Sequence, residues 1–176
     1  MAIDGLWLPD VPRAWFVRPD GVDASDTIHG RGHTLRVWVH AQELASELLL
    51  APWQAEALHY AALWHDIGRV NDHADYYHGA RGAGRVIGLG LHEGLEPLVR
   101  EAALFAVTHH CGSEEHAERS LAYTPDPAGV GIVFRVLRDA DALDLVRLGN
   151  LDPHRLRHPQ SRARVTRALD LLGEIT

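Results

Sequence analysis

The sequence predicts an all-α fold: a helical bundle preceded by an irregular N-terminal arm. Apolar residues recur at helical spacing in successive segments. No run sustains the alternation of a half-buried strand, and prolines fall between the periodic segments. With 176 residues, 46% of them hydrophobic, the chain is long enough for one compact domain with a sizeable core. The expected organisation is an arm over 1–28, a core over 29–148 and a C-terminal helix over 160–173.

Residues 1–32 read as irregular because Pro9, Pro12, Pro19, Gly5, Gly21, Gly30 and Gly32 interrupt any periodicity. Trp7, Trp15 and Phe16 need a surface to lie on, so the arm is expected to wrap the domain; a lid over a site is the alternative. From His33 to about Leu50, the residues Val37, Ala41, Leu44, Ala45 and Leu48 form one helical stripe. Pro52 restarts the chain, and a second helix carries Leu58, Ala61, Ala62 and His65 on one face. Asn71 to Tyr77 reads as a loop or turn. His78 opens a third helical segment containing Gly79, Gly82 and Gly84.

Pro97 suits the first turn of a fourth helix, whose stripe reads Leu98, Ala102, Phe105, Ala106 and His109. Ser113, followed by Glu114 and Glu115, has the makings of an N-cap with acidic residues in the first turn. Pro125 and Pro127 close that section. Val130 to Leu148 predicts a strong helix with Val133, Leu137, Asp141 and Leu145 in register. Pro153 and Pro159 punctuate a polar linker before a terminal helix near Ser161–Leu172.

The formal net charge is −7 and no long Lys/Arg block occurs, which argues against an extended nucleic-acid surface. A small anionic substrate held by a few arginines is compatible with that balance. No apolar run reaches the length of a membrane span. The opening residues lack the basic and apolar regions of a secretory signal, and the single cysteine, Cys111, rules out an intramolecular disulfide. A cytoplasmic location is therefore expected. The anomaly is the 13 histidines, more than half of them between His59 and His116.

Four of the predicted helices place a polar residue on a stripe that periodicity assigns to the interior: His33, His65, His109 and Asp141. A single core imidazole is ordinarily satisfied by backbone. Four helices at once would need four separate arrangements, and a buried unpaired carboxylate is costly. One cation satisfies them together. The centrepiece is Ala61-Ala62-Leu63-Trp64-His65-Asp66-Ile67-Gly68-Arg69, an apolar run that arrives at a His-Asp pair and is stopped by glycine. Asp66 beside an imidazole can bridge two metals. His109 and His110 lie about 100° apart on a helix, so only one faces a given centre unless the helix is ending. Cys111-Gly112 is consistent with such an end.

The order His33, His65-Asp66, His78-Gly79, His109-His110, Asp141, in the runs "HGRGHTLRV", "LWHDIGRVNDHADYYHG", "VTHH" and "LRDADALDL", resembles the HD-domain metal-dependent phosphohydrolase superfamily. The resemblance covers residues 29–145. Variants with extra histidines, such as HD-GYP phosphodiesterases and the HD nucleases of CRISPR systems, are typically binuclear. The GYP signature is absent, so cyclic-di-GMP is not implied. Carried over by position, His33, His65, Asp66 and Asp141 are expected to hold a first metal. His78, His109 and His110 are expected to hold a second, with Asp66 bridging. His92 competes with His78, and Asp139 and Asp144 compete with Asp141, which is preferred for its helical phase. His29 adds a ligand only if its helix begins early, against which Gly30 and Gly32 speak. His40, His59, His73, His116, His154 and His158 are expected to face solvent or to satisfy local bonds.

Imidazole-rich ligation suits one or two ions of Mn, Fe, Co, Ni or Zn better than Mg or Ca. The resemblance implies Asp66 and Arg69 as catalytic residues, with Arg69 on a phosphate oxygen. Arg81 and Arg85, four apart, either flank the same pocket or are solvated helix charges. Asp72 and Asp75 either orient water or ligand histidines or are ordinary loop residues. The leading expectation is a phosphohydrolase using a metal-activated water on a nucleotide or other small phosphoester or phosphoanhydride. A di-iron oxygenase cleaving a C–C or C–P bond and a non-catalytic metal- or nucleotide-binding module are the alternatives. Many small helical members pair, so a homodimer is an open expectation.

Overall fold

The structure is a computed structural model and describes residues 2–3 and 5–176. Its centre is α2 (Pro52–Trp64), which packs against α1 (Arg31–Glu47), α4 (Pro97–His109) and α6 (Pro127–Leu143). This helix is apolar on nearly every side, as a helix surrounded by others must be. Ala57, Leu58, Ala61, Ala62 and Trp64 are all buried. Around these run α3 (His78–Gly88), packed on α4, and α5 (Glu114–Leu121), packed on α6. The chain closes with α7 (Pro159–Ala163) and α8 (Val165–Glu174).

The helix starts follow local chemistry. Pro52, Pro97, Pro127 and Pro159 each stand in a first turn, where the missing N–H loses no bond. Ser113 caps α5 by accepting from the His116 N–H, and Asp126 caps α6 by accepting from Gly129.

Several boundaries differ from expectation. α1 ends at Glu47, and Leu49 adopts φ +52° as the chain turns. The helix expected over Val130–Leu148 is α6 to Leu143, followed by a 3-10 turn over Asp144–Leu148 that Gly149 closes at φ +67°. The single C-terminal helix is two, bent at Arg164. The arm includes a small antiparallel hairpin, Ala2–Ile3 with Leu6–Trp7. Val11 and Phe16 anchor it in the core and Trp15 packs partly against it, whereas Trp7 stays 79% exposed. The arm is also tied to the loop after α2, through Arg18 to Asp72 (2.8 Å) and Thr27 Oγ1 to Asp72 (3.1 Å).

Two glycines let α3 approach its neighbours. A Cβ on Gly68 would stand 2.2 Å from the backbone of both His78 and Gly82, and one on Gly79 would stand 2.5 Å from the Val107 carbonyl. Their lack of a side chain sets the first turn of α3 against the ends of α2 and α4. No helix among the described residues is long and apolar enough to cross a membrane.

Candidate metal centre

The ends of α2 and α4, the starts of α1 and α3, and the flank of α6 meet around one buried carboxylate, Asp66. On one side, His33 Nε2 lies 3.0 Å from His65 Nε2 and 3.4 Å from both Asp66 Oδ2 and Asp141 Oδ1. His65 Nε2 stands 3.8 and 4.0 Å from the same two oxygens. On the other side, His78 Nε2 lies 2.8 Å from His110 Nε2 and 3.0 Å from Asp66 Oδ1, with His110 Nε2 3.7 Å from that oxygen.

The far side of each ring shows what those contacts mean. His65 Nδ1–H donates to the Ala62 carbonyl (2.8 Å), His110 Nδ1–H to Val107 (2.8 Å) and His78 Nδ1–H to Asp75 (2.5 Å). His33 Nδ1–H donates to the Asp144 carboxylate at 2.7 Å. Carbonyls and an ionised carboxylate only accept, so Nδ1 carries a proton in each ring, and in the neutral imidazoles the four Nε2 atoms carry lone pairs. The lone pairs face one another in two couples across Asp66. Asp66 Oδ1 is buried and receives no hydrogen bond. Such an arrangement is repulsive unless positive charge lies within it, and these donors could hold a divalent cation there. The C-terminal ends of α2 and α4, each partially negative, favour the same charge.

Electrostatics agree. Burial pushes His65 down to about 3, so it stays a neutral donor. Burial acts the same way on His78, but Asp66 outweighs it and raises that imidazole to about 10. Without another cation the carboxylate recruits a proton. Despite its own burial, Asp66 is held well below the usual carboxylate range by the imidazoles of His65, His110, His29 and His33. Asp144 is buried too, and His33 and Arg36 hold it down at about 2. It accepts from Arg36 Nε (2.6 Å) and Nη2 (3.1 Å), which locks the ring of His33.

Beside the centre a cleft of about 220 Å³ opens, lined among others by His110, Cys111, Arg138, Asp141, Asn150 and Arg155. The Asp141 side chain is 34% exposed, facing it. Arg155 makes no side-chain hydrogen bond or ion pair among the described residues. Arg157, also on the rim, is paired with Glu114 and Asp139.

A family model described as the HD domain matches residues 30–146. The chain belongs to the HD-domain family. Among solved structures, this HD protein is similar to the crystal structure of a predicted HD superfamily hydrolase from an uncultured Thermotogales bacterium. The two are 24% identical with a TM-score of 0.59, over 92% of this chain and 83% of that one, a likeness of fold. No curated protein matches.

The structure brings the side chains of His33 and His65 to within 4.0 Å of both Asp66 and Asp141, and those of His78 and His110 to the other oxygen of Asp66. His92 lies in the turn after α3, outside both groups. His109 is not brought to the centre. α4 buries Ala102 and Ala106 of the expected stripe together with Val99, Ala103 and Val107, while Leu98 and Phe105 are only partly buried, so the inner face is centred further round the helix and His110 takes the inner direction. His109 packs on Phe105 (4.5 Å between ring centroids) and lines an outer groove with Tyr76, Tyr77 and His116.

Arg81 and Arg85 do not flank the cleft either. Arg81 Nε donates to the Gly68 carbonyl (3.1 Å), and Arg85 Nη1 to Ile67 (3.0 Å) and Nη2 to Ala14 (3.1 Å). They satisfy carbonyls left over where α2 ends, and Arg81 also pairs with Asp75. Arg69 Nε lies 2.8 Å from Asp66 Oδ2, and Arg69 lines a small hollow with Arg18 and His29.

His29 reaches Asp66 Oδ2 at 3.0 Å from the turn before α1, without an early helix. His40, expected outside or locally bonded, is buried with neither ring nitrogen partnered, and burial holds it at about 3, a neutral core imidazole. Asp139 is no ligand: it is buried against the 157–161 turn, accepting from the Arg157 and His158 N–H groups (each 3.0 Å) and from Ser161 Oγ (2.8 Å). Asn150 and Arg155 lie in or beside the polar linker around Pro153, which carries no periodicity, and Arg138 lies off the apolar stripe of its helix, so nothing in the sequence marks them as lining the cleft.

Proposed function

We propose that this HD protein is a metal-dependent phosphohydrolase acting on a nucleotide or another small phosphoester or phosphoanhydride. The observation that carries the proposal is the pairing of four imidazole lone pairs across Asp66 beside a cleft with an unpaired arginine. His33, His65, Asp66 and Asp141 would hold one cation, and His78, His110 and Asp66 a second. Bound divalent ions supply Lewis acidity and bring the pKa of water towards neutrality.

The remaining work falls to the chain itself. Arg155, with Arg138 deeper in the cleft, supplies guanidinium donors to phosphate oxygens. Asp144 and the carbonyls of Ala62, Asp75 and Val107 hold the imidazoles in one tautomer and one orientation. Arg69 balances the charge of Asp66. A cleft of about 220 Å³ suits a phosphoryl group and its immediate neighbour, which favours small metabolites over polymers.

The test is a nucleotide and phosphoester screen with Mn, Fe, Ni and Mg, following phosphate release and oxygen uptake together. Metal-dependent phosphate release without oxygen uptake supports the reading. Oxygen consumption with cleavage of a C–C or C–P bond overturns it in favour of a di-iron oxygenase. Unchanged turnover in Asp66→Ala shows that this centre does no chemistry.

A further inference from the structure

We infer that Cys111 is a thiolate ligand of the second cation, so that this centre comprises His78, His110, Asp66 and Cys111 and takes a borderline-soft divalent ion such as Fe, Co, Ni or Zn. The inference rests on the metal-binding reading of the site given above.

The backbone makes it geometrically available. α4 ends at His109, and the Gly112 N–H turns back to the His109 carbonyl at 3.1 Å. Along a continuing helix, consecutive side chains diverge by about 100°. At this ended helix His110 and Cys111 converge instead, and one ligand atom from each of His78, His110 and Cys111 lies within 4.8 Å of the others. The pair of neighbours serving the second centre is thus His110-Cys111, not His109-His110.

Three further observations point the same way. Asp66 Oδ1, buried and without a hydrogen bond, aims between His78 and His110 and calls for a cation independently of the sulfur. The thiol donates its S–H to the Tyr76 carbonyl at a long 3.5 Å, and its sulfur also interacts with the His78 ring. Gly79 leaves it room: a Cβ there would stand 3.2 Å from Sγ.

The donor count then becomes even. The first centre has four protein donors in His33, His65, Asp66 and Asp141, whereas the second has three without the sulfur. A thiolate shifts its preference from Mg and Mn towards softer ions, so the two centres differ chemically. On binding, one sulfur–metal bond forms, the thiol proton leaves to solvent and no oxidation state changes.

Co(II) titration of the metal-free full chain tests this without reference to turnover. Cys111 is the only cysteine, so a thiolate-to-cobalt charge-transfer band in the near ultraviolet has one source. The band is expected in the wild type and in His109→Ala. It is expected to be absent in Cys111→Ser, with the second ion bound roughly tenfold or more weakly. Should Cys111→Ser fail to fold, alkylation of the wild type decides: Zn(II) is expected to slow the reaction of Cys111 with iodoacetamide at least ~10-fold. Two Co(II) ions bound without the band, and a thiol that zinc leaves unprotected, overturn the ligand assignment and leave the metal reading standing. A wild type that binds no Co(II) overturns both.

Discussion

Asp144 joins the stability of this fold to the readiness of its metal centre, and Asp144→Asn separates the two effects. The carboxylate is fully buried and accepts from His33 Nδ1 and from two nitrogens of Arg36, with Arg147 at 3.1 Å. Its pKa of about 2 lies below the ordinary 3.8. At about 1.4 kcal/mol per unit, ionisation contributes roughly 2.5 kcal/mol to the metal-free fold at neutral pH. Because the folded value is the lower one, this contribution is complete above the ordinary pKa and disappears as pH falls through the folded one. At pH 3 roughly half of it is gone.

The amide keeps the shape and one acceptor but leaves the Arg36 charge buried without its partner, so a loss of roughly 3 kcal/mol is expected at pH 7. Urea unfolding of metal-free wild type and variant at pH 7 and pH 3 measures it. Freed from its charged acceptor, His33 is expected to hold its cation about 10- to 100-fold more weakly. A difference under ~1 kcal/mol at pH 7, or one that does not shrink towards pH 3, would refute the role given to Asp144.

Three other outcomes follow. His110→Ala is expected to weaken metal binding at the second centre by roughly 100-fold, whereas His109→Ala leaves both centres as they are; isothermal titration with Zn(II) distinguishes them. Arg155→Ala is expected to raise KM for a phosphorylated substrate roughly tenfold while metal content stays constant, since its guanidinium has no side-chain partner among the described residues. Gly68→Ala forces a Cβ to 2.2 Å from the backbone of α3. It is expected to cost roughly 3 kcal/mol, lowering Tm by about 6–12 °C in a thermal scan.

The sequence makes some of this legible and hides the rest for identifiable reasons. His33, His65, Asp66 and Asp141 stand where helical periodicity meets an abrupt polar residue, and that signal survives in three dimensions. His109 and His110 could not be ordered by periodicity. α4 packs on α2, α3 and α6, so apolar residues lie on more than one face and two phases fit equally well. Arg81 and Arg85 share the spacing of a phosphate clamp, yet which way α3 rolls depends on Gly68 and Gly79, a packing decision between segments. His40 carries no local mark of burial. Arg155 lies in a proline-punctuated stretch, and only the folding of that stretch over the flank of α6 brings it to the cleft.

The central claim, that Asp66 joins two cations, is met most directly by elemental analysis of protein purified from untreated cells. A content near two transition-metal ions per chain, falling towards zero in a folded Asp66→Ala variant, is the predicted result. A wild type with no bound metal that also refuses added Mn, Fe, Co, Ni and Zn, or an Asp66→Ala variant that keeps its full complement, would contradict the account.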